Sequence, residues 1–336
     1  MKNNSGCPHL MWVLFYILLI SECFCETLSL IAVGDIMLGR YVDVVLEKKP
    51  PVYPYEKVKS IISSADITFG NLECSLARDP SKEKPILTGY VFKASSDYSD
   101  GLKEAGFDIL SLANNHSKGG GKGTIVKTID VLNKKGIVTV GAGENLDKAR
   151  ELKIIKVDNI KVVFIASTLV CPEIYLAKED ESGVYKSDEN LILEDVKKAK
   201  QISSIVIVSL HWGEEKEFTP TNSQRDLAHK IIDNGCDLII GHHPHVLQGL
   251  EIYKGKLIVY SLGNFIFDKT KETSKTNKSI ILKCFFNKDT LSINKVEIFP
   301  VVLRYDRFFP ELAEGNDKDE IISLIRDISK FCGNFC

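Results

Sequence analysis

The sequence predicts an α/β protein, and three features of the chain support this fold class. Short apolar runs alternate with stretches of helical periodicity from residue 28 onward. Most of the apolar runs are nearly continuous, which is typical of strands that are covered on both faces. Several helical stretches are followed by glycine, at Gly106, Gly136 and Gly235, as expected of left-handed helix caps. This alternation favours a sheet with helices packed against it.

The first two thirds of the chain contain the predicted alternation of strands and helices. The predicted strands are Leu28–Val33, Ile67–Phe69, Asp108–Leu112, Ile137–Val140, Lys161–Ser167, Ile205–Leu210 and Asp237–Ile240. The predicted helices are Tyr55–Ser64, Ser96–Ala105, Thr124–Lys135, Leu191–Ser203 and Ser223–Asn234. Each of these helices follows a strand, which is the order on which the α/β assignment depends.

The last third of the chain predicts mainly strands. A polar loop is expected over residues 268–278, and a closing helix near Asp317–Phe331. No Pro- or Ser-rich linker divides the chain, so we expect one large domain over residues 26–310, followed by a C-terminal helix and tail over 311–336. The predicted strands of this part are Leu250–Tyr253, Lys256–Tyr260, Ser279–Phe286 and Leu291–Val302.

Residues 1–25 have the pattern of a signal peptide. Lys2 precedes an unbroken run of 11 apolar residues, Leu10–Ile20. That run matches the core of a signal peptide and is short for a membrane span, where about 18 or more are expected. A buried strand or helix and a retained membrane anchor are the alternatives. A signal peptide predicts a secreted or extracytoplasmic protein.

The cysteine count agrees with export. Removal of residues 1–25 would leave six of the nine cysteines, a number that permits full pairing in an oxidising compartment. Cys332 and Cys336 are expected to form a local pair. Cys236 and Cys284 lie in apolar, strand-like runs, where we expect buried free thiols.

The charge of the chain is nearly balanced. It has 43 Lys and Arg against 45 Asp and Glu in 336 residues, a formal net charge of −2. General nucleic-acid binders are usually strongly basic, so we expect no nucleic-acid partner. Hydrophobic residues make up 44% of the chain, which excludes a largely disordered protein.

Five of the predicted strands lead directly into side chains that can bind metals. Ligands of open α/β sheets gather beyond the carboxyl ends of the strands, so these side chains should meet at one edge. Carboxylate oxygens combined with imidazole nitrogens suit Mn²⁺, Zn²⁺ or Fe, and we expect two divalent ions. The candidate metal ligands are Asp35, Asn71, Glu73, Asn115, His211, His243 and His245.

Beside these candidate ligands stand the expected catalytic and substrate-binding residues. His116 is expected to act as a general acid or transition-state donor. Arg40, Trp212 and Asn264 are candidate contacts for an anionic substrate. Each motif alone also has a simpler explanation, because a Gly-Asp pair can form a turn, a single histidine can belong to the core, and Arg40 and Trp212 can pack or cap. Three imidazoles within His242–His245 rarely serve packing, which favours the metal site.

The motifs together resemble the CapA-type family of bacterial capsule and poly-γ-glutamate synthesis proteins. That family is similar to the calcineurin-like metallophosphoesterases, which implies a four-layer α/β/β/α sandwich. The segments that carry the resemblance span nearly the whole chain after the signal segment. They are GDIMLGR (34–40), GNLECSL (70–76), SLANNHS (111–117), SLHWGEE (209–215), GHHPHVLQG (241–249) and YSLGNFIFD (260–268).

Two departures from the wider phosphoesterase pattern bear on activity. Met37 stands where the first motif of that pattern has a histidine. Asn71 stands where the second has an aspartate, and Glu73, two residues later, is the expected replacement for the bridging group. Both departures are typical of the CapA-type branch, and they weaken any transfer of phosphatase activity.

The resemblance implies an extracytoplasmic protein of capsule or poly-γ-glutamate biosynthesis with a metal-dependent hydrolase- or transferase-like site. The expected substrate is an anionic polymer such as polyglutamate, and the expected partners are membrane-bound synthase subunits. A metal-dependent phosphoesterase is one alternative, which the missing imidazole of the first motif disfavours. A non-catalytic assembly or export partner is the other.

Overall fold

A computed structural model of the chain describes residues 26–329, apart from Lys122 and residues 270–272. The predicted signal segment and the predicted Cys332–Cys336 pair lie outside the described residues. Of the helices within the described part, none is long and apolar enough to cross a membrane.

The cysteines of the described residues are unpaired. Cys236 and Cys284 are buried free thiols, which confirms the prediction for these two positions. Cys74 is a third buried thiol, and Cys171 is half-buried and also free. Within the described residues, these four cysteines therefore form no disulfide.

The strands follow the predicted order, with additional short strands between them. In the described residues they are β1 (Thr27–Ile36), β2 (Ile67–Leu72), β3 (Ser75–Arg78), β4 (Lys93–Ser95), β5 (Ile109–Ser111), β6 (Val138–Val140), β7 (Ala142–Gly143), β8 (Lys153–Val157), β9 (Ile160–Thr168), β10 (Gly183–Val184), β11 (Ile205–His211), β12 (Leu238–His242), β13 (Leu247–Tyr253), β14 (Lys256–Leu262), β15 (Asn264–Ile266), β16 (Lys278–Asn287), β17 (Ile293–Arg304) and β18 (Phe309–Leu312).

The helices lie mainly between the parallel strands. In the described residues they are α1 (Arg40–Leu46), α2 (Lys59–Ile62), α3 (Tyr98–Ala105), α4 (Thr124–Lys134), α5 (Leu146–Ala149), α6 (Glu189–Ile202), α7 (Asn222–Asp233), α8 (Thr273–Thr276) and α9 (Gly315–Ile328), with 3₁₀ turns at Tyr53–Tyr55 and Glu173–Tyr175.

The strands form two large sheets. In the first sheet the order is β18-β17-β16-β1-β2-β5-β6, and β15 pairs in parallel with the end of β1. Strands β1, β2, β5 and β6 are parallel, whereas β16 to β18 run antiparallel. In the second sheet the order is β13-β14-β12-β11-β9-β8, with β9, β11, β12 and β14 parallel. Both sheets therefore have a parallel centre, as the continuous apolar runs predicted.

The two sheets pack face to face with helices on both outer sides. Leu30 and Ala32 of β1 face the core between the sheets, whereas Ile31 and Val33 face the core beneath α1 to α4. Between the sheets, the rings of Phe69 and Phe164 stack with centroids 5.8 Å apart. On the far side, α6 and α7 pack over β9, β11 and β12 in a separate apolar cluster. This arrangement confirms the four-layer α/β/β/α sandwich.

Two boundaries differ from the prediction. The helix expected over Tyr55–Ser64 is reduced to a 3₁₀ turn and the single turn α2, because Val58 between them adopts φ −125° and interrupts the helix. The boundary expected at residues 310/311 falls inside β18. Helix α9 then closes the inter-sheet core with Ile321 and Ile325, so the predicted C-terminal helix is part of the sandwich.

Candidate active site

Asp35 lies at the carboxyl end of β1, inside the strand instead of after it. In the sheet register it pairs with Asn71 of β2 and with Asn264 of β15. Its backbone N–H donates to the carbonyl of Gly263 at 3.0 Å. This close approach requires glycine at position 34, since a Cβ on Gly34 would lie 2.0 Å from the Gly263 oxygen. The Gly-Asp motif is therefore the point where two strands converge.

The buried carboxylate of Asp35 is surrounded by hydrogen-bonding groups. Nδ2 of Asn71 donates to Oδ1 at 2.9 Å, and Nδ1 of His242 lies 3.1 Å from the same oxygen. The backbone N–H of His243 donates to Oδ2 at 3.3 Å, and Nδ1 of His245 lies 3.4 Å from it. Burial alone would raise the pKa of Asp35, but the contacts with His242 and His245 outweigh it and hold that pKa well below its usual value.

Glu73 is a second completely buried carboxylate, and it lacks such partners. Its Oε1 lies 3.7 Å from Nε2 of His245 and 3.8 Å from Nε2 of His116. Among the described residues, neither carboxylate oxygen has a hydrogen-bond partner. Burial, reinforced by the negative charge of Asp35, raises the pKa of Glu73 well above its usual value. Since an unpaired buried carboxylate is costly, a cation is expected to complete its surroundings.

The polar atoms at the centre of the cluster fit a metal ion. Asp35, Glu73 and His211 each bring one ligand atom within 4.8 Å of the others. Within the described chain, Nε2 of His242 and Nδ1 of His243 are also buried without a hydrogen-bond partner. Carboxylate oxygens together with imidazole nitrogens are the donor set that Mn²⁺, Zn²⁺ and Fe share. The residues present therefore fit a divalent metal.

Two asparagines that were predicted as metal ligands hold neighbouring side chains in place. Asn71 donates through Nδ2 to Asp35, and its Oδ1 accepts from Nδ2 of Asn114 at 3.1 Å. Oδ1 of Asn115 lies 2.9 Å from Nε2 of His211. In this structure Asn71 and Asn115 therefore orient neighbouring side chains of the site. Each carboxamide oxygen keeps a second lone pair, and the ligand roles of both residues stay predictions.

His211, the last residue of β11, is held in the form that metals bind. Burial lowers the pKa of His211 well below its usual value, so the ring is neutral near pH 7. The oxygen of Asn115 can only accept, so the hydrogen of the neutral ring lies on Nε2 and the lone pair on Nδ1. Nδ1 lies 3.5 Å from Nδ2 of Asn71, on the side of the carboxylates.

His116, the predicted catalytic residue, lies at the edge of the same cluster. Its ring stacks on Phe92 with centroids 4.0 Å apart, and its Nδ1 lies 3.2 Å from the carbonyl oxygen of Tyr90. Burial lowers the pKa of His116 to about 4, so the ring is neutral near pH 7. A carbonyl oxygen accepts only from Nδ1–H, which leaves the lone pair on Nε2 toward Glu73. The resting ring is therefore prepared to accept a proton, and its role as general acid or transition-state donor stays a prediction.

The closing histidine pair contains one neutral and one protonated ring when no metal is bound. Burial, with the positive charge of His245, lowers the pKa of His243 to about 4. Burial alone would also lower the pKa of His245, but the carboxylates of Glu73 and Asp35 outweigh it and raise that pKa to about 9. Nδ1 of His245 lies 3.0 Å from Oδ1 of Asn264, which fixes the orientation of the ring.

Arg40, a predicted substrate contact, lies at the rim of the cluster. Its guanidinium carbon is 5.8 Å from the centre of the Phe92 ring, the ring that carries His116. Its Nε lies 3.3 Å from Oδ2 of Asp268. The side chain is partly exposed, so its positive charge lies at the rim, near the Phe92 ring that also contacts His116.

The other two predicted substrate contacts are buried and engaged within the protein. Trp212 is completely buried, and its Nε1 donates to the carbonyl of Tyr260 at 3.0 Å. Its indole also stacks on the Tyr260 ring, so Trp212 packs in the core beneath α7. Asn264 is completely buried and orients His245. Neither side chain is therefore exposed to a substrate in this structure.

Three residues of the site were not predicted. Asn114 accepts from the backbone N–H of His116 at 3.0 Å and from the Ser117 hydroxyl at 2.9 Å, and so shapes the loop after β5. His242 contacts Asp35. Its position among three histidines within four residues is a sequence signal that could have identified it as a site residue. Glu215 offers a carboxylate oxygen within 4.8 Å of ligand atoms of His243 and His245, although it is exposed and far from them in sequence.

Comparison with known proteins shows that the chain is similar to proteins of capsule and PGA biosynthesis. A model of the family described as bacterial capsule synthesis protein PGA_cap matches residues 29–269. The PGA biosynthesis protein CapA of Bacillus subtilis (strain 168) is 32% identical over 307 residues, which cover 91% of this chain and 80% of that protein. The capsule biosynthesis protein CapA of Bacillus anthracis is 34% identical over 312 residues, covering 91% and 74%.

One solved structure shares the fold at low sequence identity. The crystal structure of a novel phosphatase from Mycoplasma pneumoniae matches with a TM-score of 0.53 and 15% identity, covering 83% of this chain and 94% of that one. The similarity shows that this chain shares the fold of that phosphatase. At this identity it bears on the fold alone.

Proposed function

This chain belongs to the bacterial capsule synthesis protein family, and from that premise we propose that it acts in capsule or poly-γ-glutamate biosynthesis through a metal-dependent hydrolase- or transferase-like site. The observation that carries the proposal is the buried pair of carboxylates, Asp35 and Glu73, beside five histidines: His116, His211, His242, His243 and His245. At its centre, buried oxygens and nitrogens that have no hydrogen-bond partner among the described residues support a cation there.

Divalent ions would be held by Asp35, Glu73, His211, His243 and His245, and Mn²⁺, Zn²⁺ and Fe suit these donors. We propose two ions, with the oxygens of Asn71 and Asn115 as the remaining predicted ligands. When bound, such ions polarise a carbonyl or phosphoryl oxygen and lower the pKa of water.

The chain's own residues would supply proton transfer and substrate orientation. Nε2 of His116 carries a lone pair and lies 3.8 Å from Glu73, so it is placed to accept a proton and to return it to a leaving group. Arg40 would bind a carboxylate of an anionic polymer such as polyglutamate, since a guanidinium pairs well with carboxylates. The stacked Phe92 ring excludes water from one face of His116.

The test is hydrolysis by the purified chain with added Mn²⁺ or Zn²⁺. Poly-γ-glutamate and an aryl phosphate are assayed in parallel. His116→Ala should lower kcat by about 10²–10⁴-fold, the usual contribution of a general acid or base. His229→Ala is the matched control, because His229 lies on α7 with its Nε2 2.8 Å from Glu251, and it should change kcat little.

Three outcomes would contradict parts of the proposal. Full activity of His116→Ala would remove its assigned role. Faster turnover of the phosphate ester than of the polymer would favour the phosphoesterase alternative. A wild-type chain that binds no metal and hydrolyses neither substrate would favour the non-catalytic assembly or export partner.

We also propose that the protein acts outside the cytoplasm, next to membrane-bound synthase subunits. The apolar run within residues 1–25 supports this location. Fractionation of cells that express the full chain, with and without residues 2–25, tests it. Recovery of the full chain only in the cytoplasm would contradict the proposal.

A further inference from the structure

A second group of candidate ligands lies at the solvent side of the site. Glu215, His243 and His245 each offer one ligand atom, and these atoms lie within 4.8 Å of one another. This group is distinct from the buried group of Asp35, Glu73 and His211. The two histidines are buried, whereas Glu215 is exposed, so the second group opens toward solvent.

An unsatisfied nitrogen within this group points to a ligand. His243 is more than nine-tenths buried, with a relative exposure of 7%. Among the described residues, its Nδ1 has no hydrogen-bond partner. Buried polar atoms in native proteins are nearly always paired with protein, water or an ion. Two imidazoles and one glutamate form a donor set that holds a catalytic Zn²⁺ while leaving a coordination position open.

The backbone holds the Glu215 loop against the two histidines. The N–H of Lys216 donates to the carbonyl of Pro244, the residue between the two histidines, at 2.7 Å. Lys216, His243 and His245 all adopt positive φ, at +66°, +96° and +59°. Non-glycine residues adopt such angles only where the surrounding structure imposes them. The loop and the histidine turn are therefore fixed relative to each other.

The same loop is anchored on both sides of Glu215. Before it, Gly213 lies so close to Gln224 that a Cβ would meet the Gln224 side chain at 2.7 Å. After it, Nε2 of Gln248 donates to the carbonyl of Glu217 at 2.8 Å. The Glu215 carboxylate is consequently presented by a fixed segment, although the side chain itself reaches solvent.

We propose that Glu215 is the third ligand of a rim cation site, which it forms with His243 and His245; the inference rests on the metal-dependent function proposed above. This rim site is richer in nitrogen than the buried group and favours Zn²⁺ over harder ions. Because its carboxylate ligand is exposed, its ion exchanges with solvent faster than an ion bound by Asp35, Glu73 and His211.

The test measures metal binding directly and needs no substrate. The full chain is stripped with a chelator, and Zn²⁺ alone is titrated by calorimetry, with elemental analysis of the protein after gel filtration. The wild type should bind two ions, and Glu215→Gln should keep one ion while binding the second at least about tenfold more weakly. Glu214→Gln, which removes the same charge from the adjacent exposed residue, should bind both ions like the wild type.

Release of Zn²⁺ to a chelator provides a second measurement. The wild type should release one ion quickly and one slowly, and Glu215→Gln should lack the fast phase. Two ions bound alike by the wild type and Glu215→Gln would overturn the inference and leave the proposed function intact. Equal weakening by Glu214→Gln would overturn it too, because the effect would then be one of charge alone. A wild type that binds no Zn²⁺ would overturn both proposals.

Discussion

At the residue scale, the histidines of the site are oriented by carboxamides. Oδ1 of Asn115 lies 2.9 Å from His211, and Oδ1 of Asn264 lies 3.0 Å from His245. Each contact engages one ring nitrogen and leaves the other toward the carboxylates. Many metal-binding histidines are oriented by a carboxylate instead. A neutral carboxamide also orients the imidazole ring, but it adds no third negative charge beside Asp35 and Glu73.

The protonation of His245 predicts how metal affinity depends on pH. Its pKa of about 9 without metal means that a proton must leave before the ring can bind a cation. Apparent Zn²⁺ or Mn²⁺ affinity should therefore rise with pH by about tenfold per unit for each proton released, and level off above about pH 9. Calorimetry in buffers of different ionisation enthalpy measures the number of protons released.

The raised pKa of His245 also determines how the stability of the metal-free protein changes with pH. A histidine whose pKa is raised on folding stabilises the metal-free fold fully below its unfolded pKa, and this contribution is lost as the pH rises through about 9. Metal affinity and metal-free stability should thus change in opposite directions between about pH 6.5 and 9. Affinity that is constant over this range would contradict the assignment.

Which residues belong to the site could mostly be predicted from the sequence, whereas the orientation and contacts of their side chains could not. Asp35, Glu73 and His211 could be found because each stands at the carboxyl end of an apolar strand, where the fold class places ligands. The positioning role of Asn71 could not be predicted, because it depends on Asn114, which lies 43 residues away in sequence. The burial of Trp212 could not be predicted either, because it depends on the neighbouring strand that carries Tyr260.

At the element scale, strands were predictable where the apolar pattern is local. Strand β15 was missed, although its residues lie in the recognised YSLGNFIFD segment. Its pairing with β1 depends on Gly34 and Gly263, which meet only after the chain has returned across the sheet. Local periodicity contains no information about such a contact.

A buried ion pair joins α1 to β3 and gives a prediction about stability. Asp43 accepts from Nε and Nη2 of Arg78 at 2.6 and 2.7 Å, and both side chains are completely buried. The Tyr98 hydroxyl donates to the same carboxylate at 2.7 Å. Asp43→Asn leaves the Arg78 charge without its main partner, so the free energy of unfolding should fall by about 3–5 kcal/mol.

Urea unfolding followed by circular dichroism measures that change. Asp130→Asn is the control, because Asp130 is exposed on α4, and surface substitutions usually alter stability by less than about 0.5 kcal/mol. A loss of less than about 1 kcal/mol for Asp43→Asn would show that Glu47, 2.9 Å from Nη1 of Arg78, is a sufficient partner.

At the scale of the whole molecule, α9 links the end of the described chain to both sheets. Ile321 and Ile325 lie in the inter-sheet core. Gly249 of β13 allows the close approach of this helix, since a Cβ there would lie 2.0 Å from the carbonyl oxygen of Ile328. Gly249→Ala should displace the end of α9 and lower the free energy of unfolding by about 1–3 kcal/mol.

Thermal unfolding measures the effect of Gly249→Ala. Gly255, in the turn after β13, has φ +74° and open space where a Cβ would lie. Gly255→Asn is the comparison, because asparagine tolerates this backbone conformation, and it should change stability little. A melting temperature of Gly249→Ala equal to that of the wild type would contradict the close packing of α9.

The site contains side chains from both sheets, so it can form only after the chain has been synthesised through the last of them. During synthesis the two carboxylates, Asp35 and Glu73, leave the ribosome long before His211 and His245. The strand partner of Asp35 comes later still, at Asn264. A nascent chain, or a fragment shortened anywhere before that residue, exposes acidic groups without all the side chains that surround them. Metal loading of the proposed site is therefore expected only after residue 264 has been synthesised.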